Sequence, residues 1–119
     1  MAREAPCHQL DWRDTEKLIQ FCLRTEIDFV IIGPEDPLVA GLADQLRDRG
    51  ILVVGPGQEA AQLEGSKIFC KQFMQEAQIP TAAFEIVSSV DETMRACEKF
   101  TPPYVLKADG LCAGKGVVI

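Results

Sequence analysis

The sequence has only one histidine, His8, in 119 residues. Ser–His and Cys–His nucleophilic chemistry both need an imidazole placed by the fold, and a lone histidine in a polar N-terminal stretch reads as a surface residue. Cysteine is present but unpatterned. The five, at positions 7, 22, 70, 97 and 112, are odd in number and form no C-x-x-C. Neither a disulfide framework nor a zinc site is expected, and reduced thiols in a cytoplasmic protein fit better. Cys22, Cys70 and Cys97 fall on predicted helices, as small buried hydrophobes. Long apolar runs are missing too: residues 29–32 and 51–54 are far too short to cross a bilayer, and no apolar segment of a secretory signal opens the chain. Basic runs are absent and the formal net charge is −6, which speaks against nucleic acid as a partner. What is there is globular composition, 47% hydrophobic and 25% charged, at a length of one domain or pieces of two.

Residues 1–12 show no clear period. Asp14 is a helix N-cap with Glu16 in the first turn, and Leu18, Ile19, Cys22 and Leu23 follow at helical spacing, so a helix is predicted over 14–25. Residues 29–32 are continuously apolar, as in a strand covered on both faces of a parallel sheet. Asp36 and Pro37 then read as N-cap and first residue of one helix, with a stripe of Leu38, Val39, Leu42 and Leu46 and a stop at Gly50. Residues 51–54 form the next strand, which completes a βαβ unit with a right-handed crossover. A short helix over 58–63 and a longer one over 67–78 follow, the latter capped by Gly65-Ser66 and ended by Ile79-Pro80. Beyond a boundary placed near residue 80, residues 83–87 read as a strand. Ser89 to Glu92 is a capping box, and Met94, Cys97 and Phe100 form a helix face that stops before Pro102-Pro103. The fold class is α/β: residues 1–80 as part of a parallel-sheet domain, then 81–119 as strand, helix, strand, loop and strand. A two-strand parallel sheet leaves its edges open, so the chain is expected to be truncated or to depend on another chain.

The last sixteen residues carry the chemistry. Residues 104–108 and 117–119 are β-prone, and between them lie Gly110, Gly114, Gly116 and Lys115, with Lys107 on the first strand. Glycine lets backbone N–H groups approach an anion and supplies the positive φ of a curled loop. Two lysines beside it suit a phosphate, while an ordinary hairpin with solvated lysines fits the spacing equally. A P-loop is excluded: it needs G-x4-G-K-[ST] before a helix, whereas here the spacing is G-x3-G-K-G before a strand.

Three motifs occur in order: Gly33-Pro-Glu-Asp-Pro-Leu38, Gln62-Leu-Glu-Gly-Ser-Lys67 and Leu106-Lys-Ala-Asp-Gly-Leu-Cys-Ala-Gly-Lys-Gly-Val117. Together they resemble the phosphoribosylamine–glycine ligase family (glycinamide ribonucleotide synthetase) of the ATP-grasp superfamily, over residues 28–119. The resemblance implies a nucleotide-binding-like, pre-ATP-grasp domain to about residue 80, followed by the start of an ATP-grasp domain with its small lid. It implies ATP and Mg2+ as cofactors, and glycine and phosphoribosylamine as substrates. ATP would phosphorylate the glycine carboxylate, and the amine of phosphoribosylamine would attack the acyl phosphate. By the same resemblance Lys67 and Lys107 contact ATP phosphates, and the loop of Gly110, Ala113, Gly114, Lys115 and Gly116 folds over them as a flap; Lys115 at the tip fits a solvated role equally. Gly33, Pro34 and Glu35 would meet phosphoribosylamine, past the C-terminal end of a parallel strand where ligands of open α/β sheets collect; a carboxylate favouring the helix dipole is the other reading of Glu35. The family's first strand and Gly-rich turn are not found here, and its adenine pocket, magnesium ligands and glycine site lie past residue 119. The chain is therefore expected to be an internal fragment, inactive alone; a non-catalytic binding module and another ATP-grasp ligase are the alternatives.

Overall fold

A computed structural model describes residues 5–119. The chain divides into two compact units between Ala61 and Gln62, earlier than the boundary near 80.

In the first unit, α1 (Thr15–Arg24) starts at Asp14, whose side chain accepts the Lys17 amide. It is followed by β1 (Phe29–Ile31), α2 (Glu35–Val39), α3 (Leu42–Asp48) and β2 (Leu52–Val54). The strands pair in parallel, Phe29 with Leu52 through Ile31 with Val54, and the Ile32 amide adds a bond to the Val54 carbonyl at 3.2 Å. The βαβ unit is thus present, with one difference. The single helix expected from Asp36 to the stop at Gly50 is two helices. Ala40 ends the first, and Gly41 turns into the second with φ +86. A side chain at Gly41 would also press on Gln58, whose Oε1 lies 3.1 Å from where a Cβ would stand, so the break is built into the backbone. Pro34, not Asp36, is the N-cap of α2, and Asp36 lies inside its first turn.

Ile19, Cys22, Leu42, Leu46 and Ile51 form the core, with Trp12, Leu18, Phe21, Val30, Ile32 and Val53 packed around it. Side chains alternate across a strand, and here the alternation is sharp. Val30 and Val53 face the core, while Phe29, Ile31, Leu52 and Val54 stand 54 to 69% exposed on the other face. Burial raises the Cys22 thiol above its ordinary pKa. Cys70 and Cys97 are only half-buried, contrary to expectation. His8 is exposed, with its ring 4.7 Å from that of Phe21.

The division between the units falls within α4 (Gln58–Gly65). The second unit holds α5 (Lys67–Glu76), α6 (Val90–Cys97), β3 (Leu106–Lys107) and β4 (Val117–Val118). Ser66 caps α5 by accepting the Phe69 amide, and Ser89 caps α6 by accepting the Glu92 amide. The expected box is modified at α6: the Glu92 carboxylate takes the amide and hydroxyl of Ser88 rather than the amide of the cap itself. That contact lowers the Glu92 pKa. The hairpin forms as read, antiparallel, with Leu106 opposite Val118 and Lys107 opposite Val117.

The expected strand over 83–87 does not form. A strand needs a ladder partner for its backbone donors and acceptors, and among the described residues none pairs with this segment. The stripe along α5 is uncovered for a related reason: Ile68, Phe69 and Met74 are half-buried and Phe73 is exposed.

Candidate functional site

The candidate phosphate-handling residues lie at the N-terminus of α5 and along the hairpin. Lys67, the first residue of α5, donates from Nζ to the Gly110 carbonyl at 2.8 Å. Lys107 is exposed on β3. Both lysines, with Lys71, line one cavity of about 450 Å³ whose walls include Phe84, Ile86, Cys97 and Tyr104. The carboxylates of Glu85 and Asp109 line the same space. Lys71 is engaged elsewhere, with Nζ 2.6 Å from Thr81 Oγ1 and 2.9 Å from the Ala82 carbonyl.

The loop between the strands is shaped by its glycines and one alanine. Gly110 has φ +85, and the tip residues Ala113 and Gly114 have φ +46 and +77. The Lys115 amide closes the tip by donating to the Cys112 carbonyl at 2.9 Å. Two central residues with positive φ are the mark of a type I′ turn, for which glycine and not alanine is favoured, so Ala113 is strained. Gly116 is needed for room: a Cβ there would lie 2.7 Å from Cys112 Cβ and 2.9 Å from its Sγ. Its carbonyl accepts the Ala108 amide at 2.7 Å. The amides of residues 111–114 reach no acceptor among the described residues, so this loop has the donors an anion would use.

Lys67 and Lys107 therefore line one cavity, and the Gly110 carbonyl is joined to the first of them. Ala113, Gly114 and Lys115 stand exposed at the tip, outside the cavity lining. Asp109 was missed by sequence reasoning. Its carboxylate accepts Ser66 Oγ–H at 3.1 and 3.0 Å and the Ile68 amide at 3.1 Å. The Ile68 amide leads in holding the Asp109 pKa below the ordinary carboxylate range; burial opposes it, and Ser66 adds a further lowering. These bonds tie α5 to the hairpin within the second unit. The signal was in the Ala-Asp-Gly triplet, where an acidic residue opens a loop otherwise read for glycine and lysine.

Gly33, Pro34 and Glu35 lie in the first unit, after β1. Pro34 is extended with ψ 151, and Glu35 is the first residue of α2, exposed to solvent. Nothing crowds Gly33 within 4 Å. Among the described residues no group of three or more His, Cys, Asp or Glu side chains is arranged to hold a metal ion. None of their helices is long and apolar enough to cross a membrane.

Comparison with known proteins matches two family models end to end: phosphoribosylglycinamide synthetase, N domain, over residues 1–64, and phosphoribosylglycinamide synthetase, ATP-grasp (A) domain, over residues 65–119. The chain is 43% identical over 118 residues to the phosphoribosylamine–glycine ligase of Clostridium acetobutylicum, covering 99% of this chain and 28% of that protein. It is 50% identical over 110 residues to that of Leifsonia xyli subsp. xyli, covering 92% of this chain and 26% of that protein. Among solved structures it is similar to phosphoribosylamine–glycine ligase from Thermotoga maritima, with a TM-score of 0.73 and 36% identity, covering 98% of this chain and 26% of that one. The chain thus spans little more than a quarter of the length of the relatives it matches.

Proposed function

Because the chain belongs to the phosphoribosylglycinamide synthetase family, we propose that it is the stretch of a phosphoribosylamine–glycine ligase that brings part of the amine site and the phosphate end of the ATP site. The observation that carries this reading is the cavity shared by Lys67 and Lys107 at the base of a glycine-rich hairpin. In the reaction a glycine carboxylate oxygen attacks the γ-phosphorus of ATP and ADP leaves, giving glycyl phosphate. The amine of phosphoribosylamine then attacks the acyl carbon, loses a proton and expels phosphate, which forms the amide of glycinamide ribonucleotide.

The residues present serve the first step. Negative charge accumulates on the transferred phosphoryl group and its bridging oxygen, and fixed cations and backbone donors aimed there lower the barrier. Lys107 reaches the cavity from β3 and Lys67 from the start of α5. The free amides of residues 111–114 and the Lys115 ammonium would close over the phosphates as a flap. Gly33, Pro34 and Glu35 take phosphoribosylamine, with Glu35 accepting from its amine or ribose hydroxyls. Magnesium, when bound, would neutralise phosphate charge; the described residues do not supply its ligand set, and we assign that set to other parts of the full-length protein. A cytoplasmic setting agrees with five unpaired thiols.

The test uses the full-length protein and the 119-residue chain side by side. ADP formation that requires both glycine and phosphoribosylamine is expected of the former and no turnover of the latter; a full-length protein that makes no glycine-dependent ADP overturns the ligase reading. Glu35→Gln is expected to raise the KM for phosphoribosylamine roughly tenfold, the worth of one lost charge-assisted hydrogen bond, with the KM for ATP unchanged. An unchanged KM for phosphoribosylamine would remove Glu35 from the site.

A further inference from the structure

The glycine-rich loop and the start of α5 are 41 to 43 residues apart in the chain, yet they are joined by hydrogen bonds at three successive residues. Ser66 Oγ donates its single proton between the two oxygens of Asp109, and the Ile68 amide donates to Oδ1. Between them, Lys67 reaches from Nζ to the Gly110 carbonyl at 2.8 Å. Ser66 Oγ also accepts the Phe69 amide at 3.0 Å. The open amides at the start of α5 are thereby satisfied twice, by Ser66 within the helix and by Asp109 from the hairpin.

We propose that Asp109 is a positioning residue for the phosphate end of the ATP site: its carboxylate fixes the base of the glycine-rich loop on α5 and so sets where the Lys67 ammonium stands. This rests on the ligase reading and adds to it a residue that need not touch ATP. The chemistry requires a carboxylate at 109. An ammonium has three N–H donors, and Lys67 gives one to Gly110, so the others remain for an oxyanion in the cavity only while the loop base stays beside the helix. A carboxylate accepts at both oxygens and brings charge to each bond. An amide of the same shape keeps one neutral oxygen for the Ile68 amide and the Ser66 proton and turns an NH2 toward Ser66 Oγ where Oδ2 accepted, so the charge assistance and the second acceptor are lost. Asp109→Asn therefore loosens the clamp while keeping the volume.

The experiment compares Asp109→Asn with the parent sequence in the full-length protein. The KM for ATP is expected to rise roughly tenfold, with the KM for glycine within about twofold and the melting temperature unchanged to within about two degrees. Ser66→Ala added to Asp109→Asn should raise the KM for ATP little further, because both remove the same tie to the hairpin, while the melting temperature falls with the lost cap on the Phe69 amide. In parallel, hydrogen exchange of the hydrogen-bonded amides of Ile68, Ala108 and Lys115 is expected to speed up roughly tenfold in Asp109→Asn. An unchanged KM for ATP overturns the proposal. So does a fall in melting temperature with all KM values shifted alike, which is the mark of a merely structural prop. If the parent protein makes no glycine-dependent ADP, the ligase reading fails by itself. Loop exchange and direct ATP titration then still decide on Asp109, and an unchanged exchange rate with unchanged ATP binding overturns it.

Discussion

The two units of this chain are held together by different forces. Every fully buried apolar side chain among the described residues lies at or before Ala61. There a sheet face, α1 and α3 close around Leu46, which has no exposed surface at all. The second unit has no such centre. Its apolar side chains are half-buried or exposed, and it is organised by polar ties: Asp109 to Ser66 and Ile68, Lys71 to Thr81 and Ala82, Glu92 to Ser88, and Lys99 to Glu85 at 2.9 Å. Packing is non-directional and scales with area, whereas hydrogen bonds set position and add little net stability. The first unit is built to be stable and the second to place a few groups.

The largest expected effect tests the packed side. Leu46→Ala removes the most enclosed side chain and should cost about 2–5 kcal/mol. Trp12 is the only tryptophan and packs against that core, so its fluorescence in a urea titration reads the first unit alone. A loss under about 1 kcal/mol would break the contrast by showing that the core is already loose.

A smaller effect tests the polar side. Gly116→Ala forces a Cβ to within 2.7 Å of Cys112 Cβ and should destabilise the hairpin by about 1–3 kcal/mol. Adding Cys112→Gly removes the obstructing atoms and should restore part of that loss. Amide exchange across β3 and β4 measures both; no rescue would mean that the crowding lies elsewhere.

The smallest effect is on pH. Asp109 and Glu92 have folded pKa values lowered by the hydrogen bonds they accept, led by the Ile68 and Ser88 amides. Their contribution is present above the unfolded carboxylate value and is lost as the pH falls through the lower folded values, that is, below about pH 4. Glu16 in the first unit is lowered too, through Gln20 and then Arg49, but it lies on the surface away from the core. Protection of the Ile68 and Ser88 amides should therefore fall before Trp12 fluorescence changes. A simultaneous fall would merge the two units into one cooperative body.

The contrast also explains what could be read from the residues. The buried βαβ unit was legible because its signals are local and repeated: a cap at Asp14, an apolar stripe, two continuous apolar strands. Ser66 and Ser89 were legible as caps for the same reason. Two features of the first unit were hidden. The break at Gly41 sits inside an unbroken stripe from Leu38 to Leu46, and the crowding that favours glycine there comes from Gln58, further along the chain. Pro34 took the cap from Asp36 because the turn begins earlier than its best capping residue. In the second unit, residues 83–87 have strand chemistry, but a ladder is a property of two segments. The phosphate-loop lysines and glycines were visible as types. The partner of Asp109 was not, since nothing in Ala-Asp-Gly points to a serine 43 residues back.

The outward face of the parallel sheet has one further consequence, for the chain in solution. Phe29, Ile31, Leu52 and Val54 form an apolar strip on a short sheet with open edges, the arrangement through which strands of separate molecules associate. Opposing it is the repulsion between copies that each carry a formal charge of −6. Added salt shortens the reach of that repulsion and leaves the apolar attraction in place. The chain's colloidal stability is thus set by ionic strength, and dilute, low-salt buffer is the condition that keeps its copies apart.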